Sequence, residues 1–161
     1  MNNKFSYKQR VQENAYAFPY HYLDLGSAEH KLLSVEYLSK IKYISSLCKK
    51  LKVTTVLDAG CGDGRLCYEL EKLGLQITGI DYSEKAIGFA RAFTSKSKFL
   101  VQDLEHLKLP YAFQAITLID VLEHIKPSKL QLLLKNIDES LQPKGYLIIT
   151  VQTKLLTLQD K

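Results

Sequence analysis

Val56-Leu57-Asp58-Ala59-Gly60-Cys61-Gly62-Asp63-Gly64-Arg65 is the stretch on which the fold turns. A short apolar run leads into three alternating glycines, and a helical pattern follows. Glycines at 60, 62 and 64 permit a tight turn and let a ligand approach the backbone closely. The helix that begins after them offers free N–H donors at its first turn. In an open α/β sheet such a turn lies at the carboxyl edge of the strands, where ligands bind.

Outward from this turn the chain alternates. Val53 to Leu57 reads as a first strand, Arg65 to Leu73 as a helix stopped by Gly74, and Gln76 to Ile80 as a second strand. Ser83 or Glu84 to Phe93 reads as a helix with Ser83 as N-cap. Lys98 to Gln102 is a third strand, and Leu104 to Leu109 is too short to assign. Ala112 to Ile119 is a fourth strand, Ser128 to Leu141 a helix, Pro143 to Gly145 a turn, and Tyr146 to Val151 a fifth strand. Upstream, Leu32, Leu33, Val35, Leu38, Ile41, Ile44 and Leu47 recur at helical spacing. The alternation implies a mostly parallel sheet joined by right-handed crossovers, a three-layer α/β sandwich of Rossmann-like type with helices on both faces. Residues 28–161 form its core. Residues 1–27 form a polar, aromatic-rich lid segment, and Tyr16 to Tyr22 is expected as a strand or an extended cover.

Composition narrows the function classes. At 161 residues one domain is expected. No apolar run is long enough to span a membrane, and the polar N-terminus lacks a secretory signal, so a cytoplasmic location is expected. Cys48, Cys61 and Cys67 form no Cys-x-x-Cys pair and are expected reduced. The net charge of +5 owes part of its excess to Lys40, Lys42, Lys49, Lys50 and Lys52 on one helix, expected as a solvated face. No nucleic-acid motif or interleaved aromatic accompanies them, so nucleic acid is not the expected partner.

A nicotinamide dinucleotide is the close competitor for the turn. Its fingerprint needs a third glycine at the position that Arg65 occupies, where an arginine cannot permit tight helix–strand packing. Asp81 ends the second strand, and a carboxylate there can accept two hydrogen bonds from a ribose diol, or cap the next helix. Asp103 ends the third strand. Three acids after successive strands suit one extended nucleoside.

The glycine turn with Asp58 before it resembles motif I of class I S-adenosylmethionine-dependent methyltransferases, and the likeness runs from about residue 53 to 151. The resemblance implies the sheet order 3-2-1-4-5 and S-adenosylmethionine as cofactor. It implies that Gly60, Cys61 and Gly62 meet the methionine part, and that Asp58 orients its amino group. Asp81 would hold the ribose with Tyr82 over the adenine, and Asp103 and Leu104 would meet the adenine edge and face. Asp120-Val121-Leu122-Glu123-His124 is similar to the family's stretch after strand four. It places Asp120 beside the methionine and Glu123 and His124 near a small-molecule methyl acceptor; no metal is expected. Phe113-Gln114 stands where many relatives have Phe-Asp, at the strand end far from the cofactor, with little effect expected.

His124 and His21 are the candidate general bases, with a hydrogen-bonded helix-start role weighed against catalysis for His124. Tyr20 and His21 are expected to face the site, or to pack on the core. The apolar strand 146–151 is expected as an exposed sheet edge that another copy, a partner chain or the tail Leu155 to Leu158 would cover. A non-catalytic cofactor-binding module is therefore the alternative to an enzyme.

Overall fold

The computed structural model describes residues 7–22 and 28–152; for Tyr7, Lys8, Tyr20 and residues 28–34 it describes the backbone alone. Chain order is α1 (Tyr7–Ala15), a 3-10 turn Tyr20–Tyr22, α2 (Ala28–Leu51), β1 (Thr55–Ala59), α3 (Arg65–Glu71), β2 (Gln76–Asp81) and α4 (Glu84–Phe93). There follow β3 (Lys98–Val101), a 3-10 turn Leu104–His106, β4 (Phe113–Ile119), a 3-10 turn Leu122–His124, α5 (Pro127–Glu139) and β5 (Leu141–Thr150).

The five strands form one parallel sheet in the order β3-β2-β1-β4-β5, as expected. Successive residues of β1 point to opposite faces, and each face has its own apolar cluster. Val56 joins Ile41, Ile44 and Cys48 of α2, Leu66 and Leu70 of α3, and Ile87 and Ala90 of α4. Leu57 joins Leu104, Leu107, Ile116, and Leu133 and Ile137 of α5. Burying a leucine or isoleucine this completely contributes about 1.5–3 kcal/mol each, so the sheet is held as the middle of three layers. Two glycines make the packing possible. A Cβ on Gly64 would stand 2.7 Å from Ala90 Cβ, so α3 and α4 meet there; a Cβ on Gly79 would stand 2.6 Å from Phe99.

Four readings of the sequence need correction. The first strand runs from Thr55 to Ala59, so Asp58 sits inside it rather than beyond its end. The N-terminal segment is no strand: Tyr7–Ala15 is a helix, and a turn leads to the 3-10 turn at Tyr20. Its residues are mostly polar because it faces the polar carboxyl edge of the sheet, so it lacks the apolar period that marks a core helix. β5 begins at Leu141, not Tyr146. Leu141 pairs with Phe113 and Tyr146 with Ala115, so Gln142 to Gly145 bulge out of register, with Lys144 at φ 64°. Lys40 is not part of the solvated face; it is drawn inward by Asp120, whereas Lys42, Lys49, Lys50 and Lys52 are exposed. The tail Leu155 to Leu158 lies outside the described residues.

Ser83 is the N-cap of α4, accepting from the Ala86 N–H at 3.0 Å. At the opposite edge Gln114 Oε1 accepts from the Thr54 N–H at 2.6 Å and from its hydroxyl at 2.9 Å, so it stitches β4 to the start of β1, far from the glycine turn. β5 is an edge strand among the described residues, and Tyr146, Leu147 and Ile149 are exposed along it. No described helix is long and apolar enough to cross a membrane.

Candidate active site

The glycine turn folds back on β2. The Gly60 and Cys61 N–H groups both donate to the Ile80 carbonyl, at 2.7 and 2.9 Å, and Gly62 N–H donates to Asp81 Oδ2 at 3.0 Å. Gly60, Gly62 and Gly64 have φ of 84°, 53° and 79°, the left-handed region that favours glycine. A Cβ on Gly60 would lie 2.5 Å from Val121 Cγ2, and one on Gly62 would lie 2.6 Å from the Tyr16 hydroxyl. The turn therefore carries no side chains at these two positions and is closely approached by Val121 after β4 and by Tyr16 of the N-terminal segment.

Asp58 and Asp81 are buried on either side of this turn. Asp58 stands opposite Thr117 in the β1–β4 register, and its Oδ1 accepts from the Thr117 hydroxyl at 2.7 Å. Its Oδ2 accepts from the Cys67 thiol at 3.3 Å. Burial outweighs these bonds and raises the Asp58 carboxyl to about 6. Asp81 spends one oxygen on Gly62 N–H and the other on Ser83 N–H at 2.9 Å. Burial raises it as well, with the Glu13 charge adding to the effect. Each carboxylate oxygen has two lone-pair directions, so these bonds orient Asp81 without exhausting it.

Asp103 caps the 3-10 turn through Glu105 N–H at 2.9 Å and accepts from the Gln9 amide at 3.4 Å; Leu104 beside it is buried. The Tyr82 hydroxyl donates to Gln12 Oε1 at 2.7 Å. Asp120 adopts φ 53°, unusual for a residue with a side chain. Its Oδ2 meets Lys40 Nζ at 2.8 Å and its Oδ1 accepts from the Thr150 hydroxyl at 2.8 Å. Burial would lower the Lys40 ammonium, but hydrogen bonds to Asp120 and Glu36 prevail and raise it.

His21 lies over the turn. Its backbone N–H donates to Asp63 Oδ2 at 3.0 Å, its Nδ1 is 2.8 Å from Asp63 Oδ1, and its ring stacks on Tyr37 with centroids 4.3 Å apart. Asp63 is fully buried. The adjacent Tyr22 stacks on Phe93 at 4.0 Å and carries the Arg65 guanidinium 5.0 Å above its ring. Glu123 and His124 are exposed on the 3-10 turn after β4, and Glu123 accepts from Gln152 N–H at 3.2 Å. The Tyr20 side chain lies outside the described residues.

The carboxyl edge thus brings Asp58, Gly60, Cys61, Gly62, Asp81, Tyr82, Asp103, Leu104, Asp120 and His21 to one end of the sheet, and leaves Glu123 and His124 exposed on the turn after β4. Sequence reasoning passed over Asp63, Tyr16 and Lys40. Asp63 had a signal, an acid inside the glycine turn. Lys40 had none, because its partner is 80 positions away.

Residues 57–149 match the family described as methyltransferase domain. The ubiquinone biosynthesis O-methyltransferase of Coxiella burnetii (strain Dugway 5J108-111) is 34% identical over 116 residues, covering 69% of this chain and 48% of that protein. The mitochondrial enzyme of the same name from Schizosaccharomyces pombe is 31% identical over 115 residues, covering 64% of this chain and 41% of that protein. The chain spans about half the length of these relatives. Magnesium protoporphyrin IX methyltransferase from Synechocystis PCC 6803, solved with S-adenosylmethionine bound, shares the fold with a TM-score of 0.69 at 22% identity, covering 88% of this chain and 74% of that one. The matched segment holds the glycine turn and all five strands but for the last residue of β5 and the first two of β1, and the chain belongs to the methyltransferase domain family, with the Rossmann-like fold of its class I members.

Proposed function

We propose that this chain binds S-adenosylmethionine along the carboxyl edge of the sheet and transfers its methyl group to a small-molecule acceptor. The observation that carries this reading is the Asp81 bridge. One carboxylate fastens the glycine turn to the end of β2, so the methionine cradle and the ribose acceptor share a side chain. Gly60 and Gly62 expose the backbone of the turn in a left-handed conformation, and Asp103 continues the line of acids past β3. In this reading Gly60, Cys61 and Gly62 face the methionine part, Asp81 the ribose, and Tyr82, Asp103 and Leu104 the adenine. Asp58 is oriented by Thr117 and Cys67 and keeps lone-pair capacity for the amino group of the methionine part. Asp120 holds the methionine end with Lys40 behind it.

The donor supplies an electrophilic methyl on a positively charged sulfur. What the chain's own residues contribute is alignment of the nucleophile and exclusion of water. The acidic edge also favours a cationic donor over a neutral product. If the acceptor must lose a proton, His21 is the better placed base: buried Asp63 fixes its ring, whereas His124 stands exposed. Tyr20 and Glu123 are the candidate residues for contact with the acceptor. The names of the relatives support oxygen as the methylated atom.

The exposed apolar edge of β5 supports a further protein segment there, from a second copy or a partner chain. The buried, unbridged cysteines are consistent with a reducing compartment such as the cytoplasm. Isothermal calorimetry with S-adenosylmethionine and NAD tests the donor: binding of the first alone is expected, and binding of NAD alone would overturn the reading. Transfer of a labelled methyl to a panel of catechols and related phenols tests the reaction. Tight donor binding with no transfer to any acceptor would leave a cofactor-binding module.

A further inference from the structure

Gln9, Gln12, Glu13 and Tyr16 recur at i, i+3, i+4 and i+7, which places them on one face of α1 and its continuation. Each of the four meets a different part of the carboxyl edge. Gln9 donates to Asp103, Gln12 accepts from Tyr82, and the Tyr16 hydroxyl lies on Gly62. Between them, the Glu13 charge reaches Asp81, where it adds to the effect of burial in raising that carboxyl. The order along the helix is therefore Asp103, Tyr82, Asp81, Gly62, the same order in which the proposed donor would run from adenine through ribose to methionine.

One atom on this face lacks a partner. Glu13 Oε2 is buried and accepts no hydrogen bond from the described residues. A buried carboxylate oxygen is costly unless something donates to it. A ligand hydroxyl lying against this face of α1 would supply that donor. We propose that Glu13 is a donor-binding residue, its carboxylate accepting a ribose hydroxyl of the cofactor alongside Asp81, so that α1 contributes directly to nucleoside recognition. This rests on the donor reading above. The paired carboxylates would select for an intact ribose diol, since each offers acceptors and neither a donor.

The test is calorimetry with S-adenosylhomocysteine and its 2′-deoxy and 3′-deoxy forms, on the wild-type chain and on Glu13→Ala and Glu13→Gln. Glu13→Ala is expected to weaken S-adenosylhomocysteine about tenfold or more, in the range of a hydrogen bond to a charged group. For one of the deoxy forms the same substitution should cost less than about twofold, because the bond it removes is already missing. Equal losses for all three ligands, or none, would overturn the assignment while leaving the donor reading intact. Failure of the wild-type chain to bind S-adenosylhomocysteine would overturn both. Thermal unfolding followed by circular dichroism checks that the variants fold. Glu13→Gln keeps the side chain's size and one acceptor oxygen, so it should show the same pattern at smaller amplitude even if Glu13→Ala is unstable.

Discussion

The two edges of the sheet treat their carboxylates in opposite ways. At the amino edge, Glu71 accepts from Ser95 N–H, Lys96 N–H and Ser97 N–H at 3.1, 3.2 and 2.8 Å, and from the hydroxyls of Ser95 and Ser97 at 3.2 and 2.6 Å. Burial alone would raise it, but these five donors win and hold it down at about 2. At the carboxyl edge, Asp58 and Asp81 have two donors each and deeper burial, and both are raised. Glu71 is saturated and serves to fix the loop before β3. The carboxyl-edge acids are oriented but unsaturated, and that residual capacity is what a ligand with hydroxyl or amine donors would fill. The amino edge holds a cavity of about 520 Å³ lined by Thr78, Lys98 and Tyr111 among others. Its carboxylate Glu71 is saturated, so that space is not matched by unsatisfied acid capacity.

Glycine substitutions should break this contrast most visibly. Gly60→Ala puts a Cβ 2.5 Å from Val121 at φ 84°, so the turn must shift. Together with about 1–2 kcal/mol of left-handed strain, the displaced cradle should weaken S-adenosylmethionine by about 100-fold or more in calorimetry. Gly74→Ala at the amino edge has almost the same φ, 81°, but nothing lies within 4 Å of its Cβ. It should cost the strain alone, read as a lower unfolding midpoint, with donor affinity unchanged. An equal effect of both on binding would mean that the turn's geometry is not the cradle. Asp81→Asn comes next. It removes the charge and turns one acceptor into a donor, so donor affinity should fall about 10- to 100-fold, as for a lost pair of hydrogen bonds to a charged group.

Much of the saturated architecture was legible, and much of the unsaturated site was not. A parallel sheet followed from the alternation of apolar runs and helices, and its strand order from the family resemblance. Ser83 could be recognised as a cap because a cap is a local feature, made with a backbone group three residues on. The glycine turn was legible for the same reason. The N-terminal helix was not, because α1 packs on the polar carboxyl edge and so lacks an apolar stripe. Lys40 was read as solvated since its neighbours in sequence are; only the β4 end, brought in by the sheet, supplies Asp120. Asp63 was visible as a residue but not as a partner, because His21 arrives from a separate segment. The acids of the carboxyl edge were legible from their spacing after strands, whereas what presses on them from α1 required the tertiary fold.

Asp58→Asn and Glu71→Gln turn the contrast into opposite pH dependences of stability. The folded Asp58 carboxyl lies at about 6, above its ordinary 3.8. Between those values the native state binds more protons than the unfolded chain, so stability from this group falls as pH rises through them. At pH 7 the charged, buried Asp58 costs on the order of 3 kcal/mol at about 1.4 kcal/mol per unit. Asp58→Asn should therefore raise the unfolding midpoint at pH 7, keep the Thr117 bond, and give no gain below about pH 4. Glu71 runs the other way. Its folded value, about 2, is below the ordinary 4.5, so its contribution is present above 4.5 and disappears as pH falls through about 2. Glu71→Gln should lower stability at pH 7 by about 1–2 kcal/mol, the scale of charge-assisted bonds at a partly exposed site. That loss should shrink toward zero in acid, with donor affinity unchanged throughout. Parallel pH profiles for the two variants would remove the distinction between a saturated structural acid and an oriented, unsaturated one.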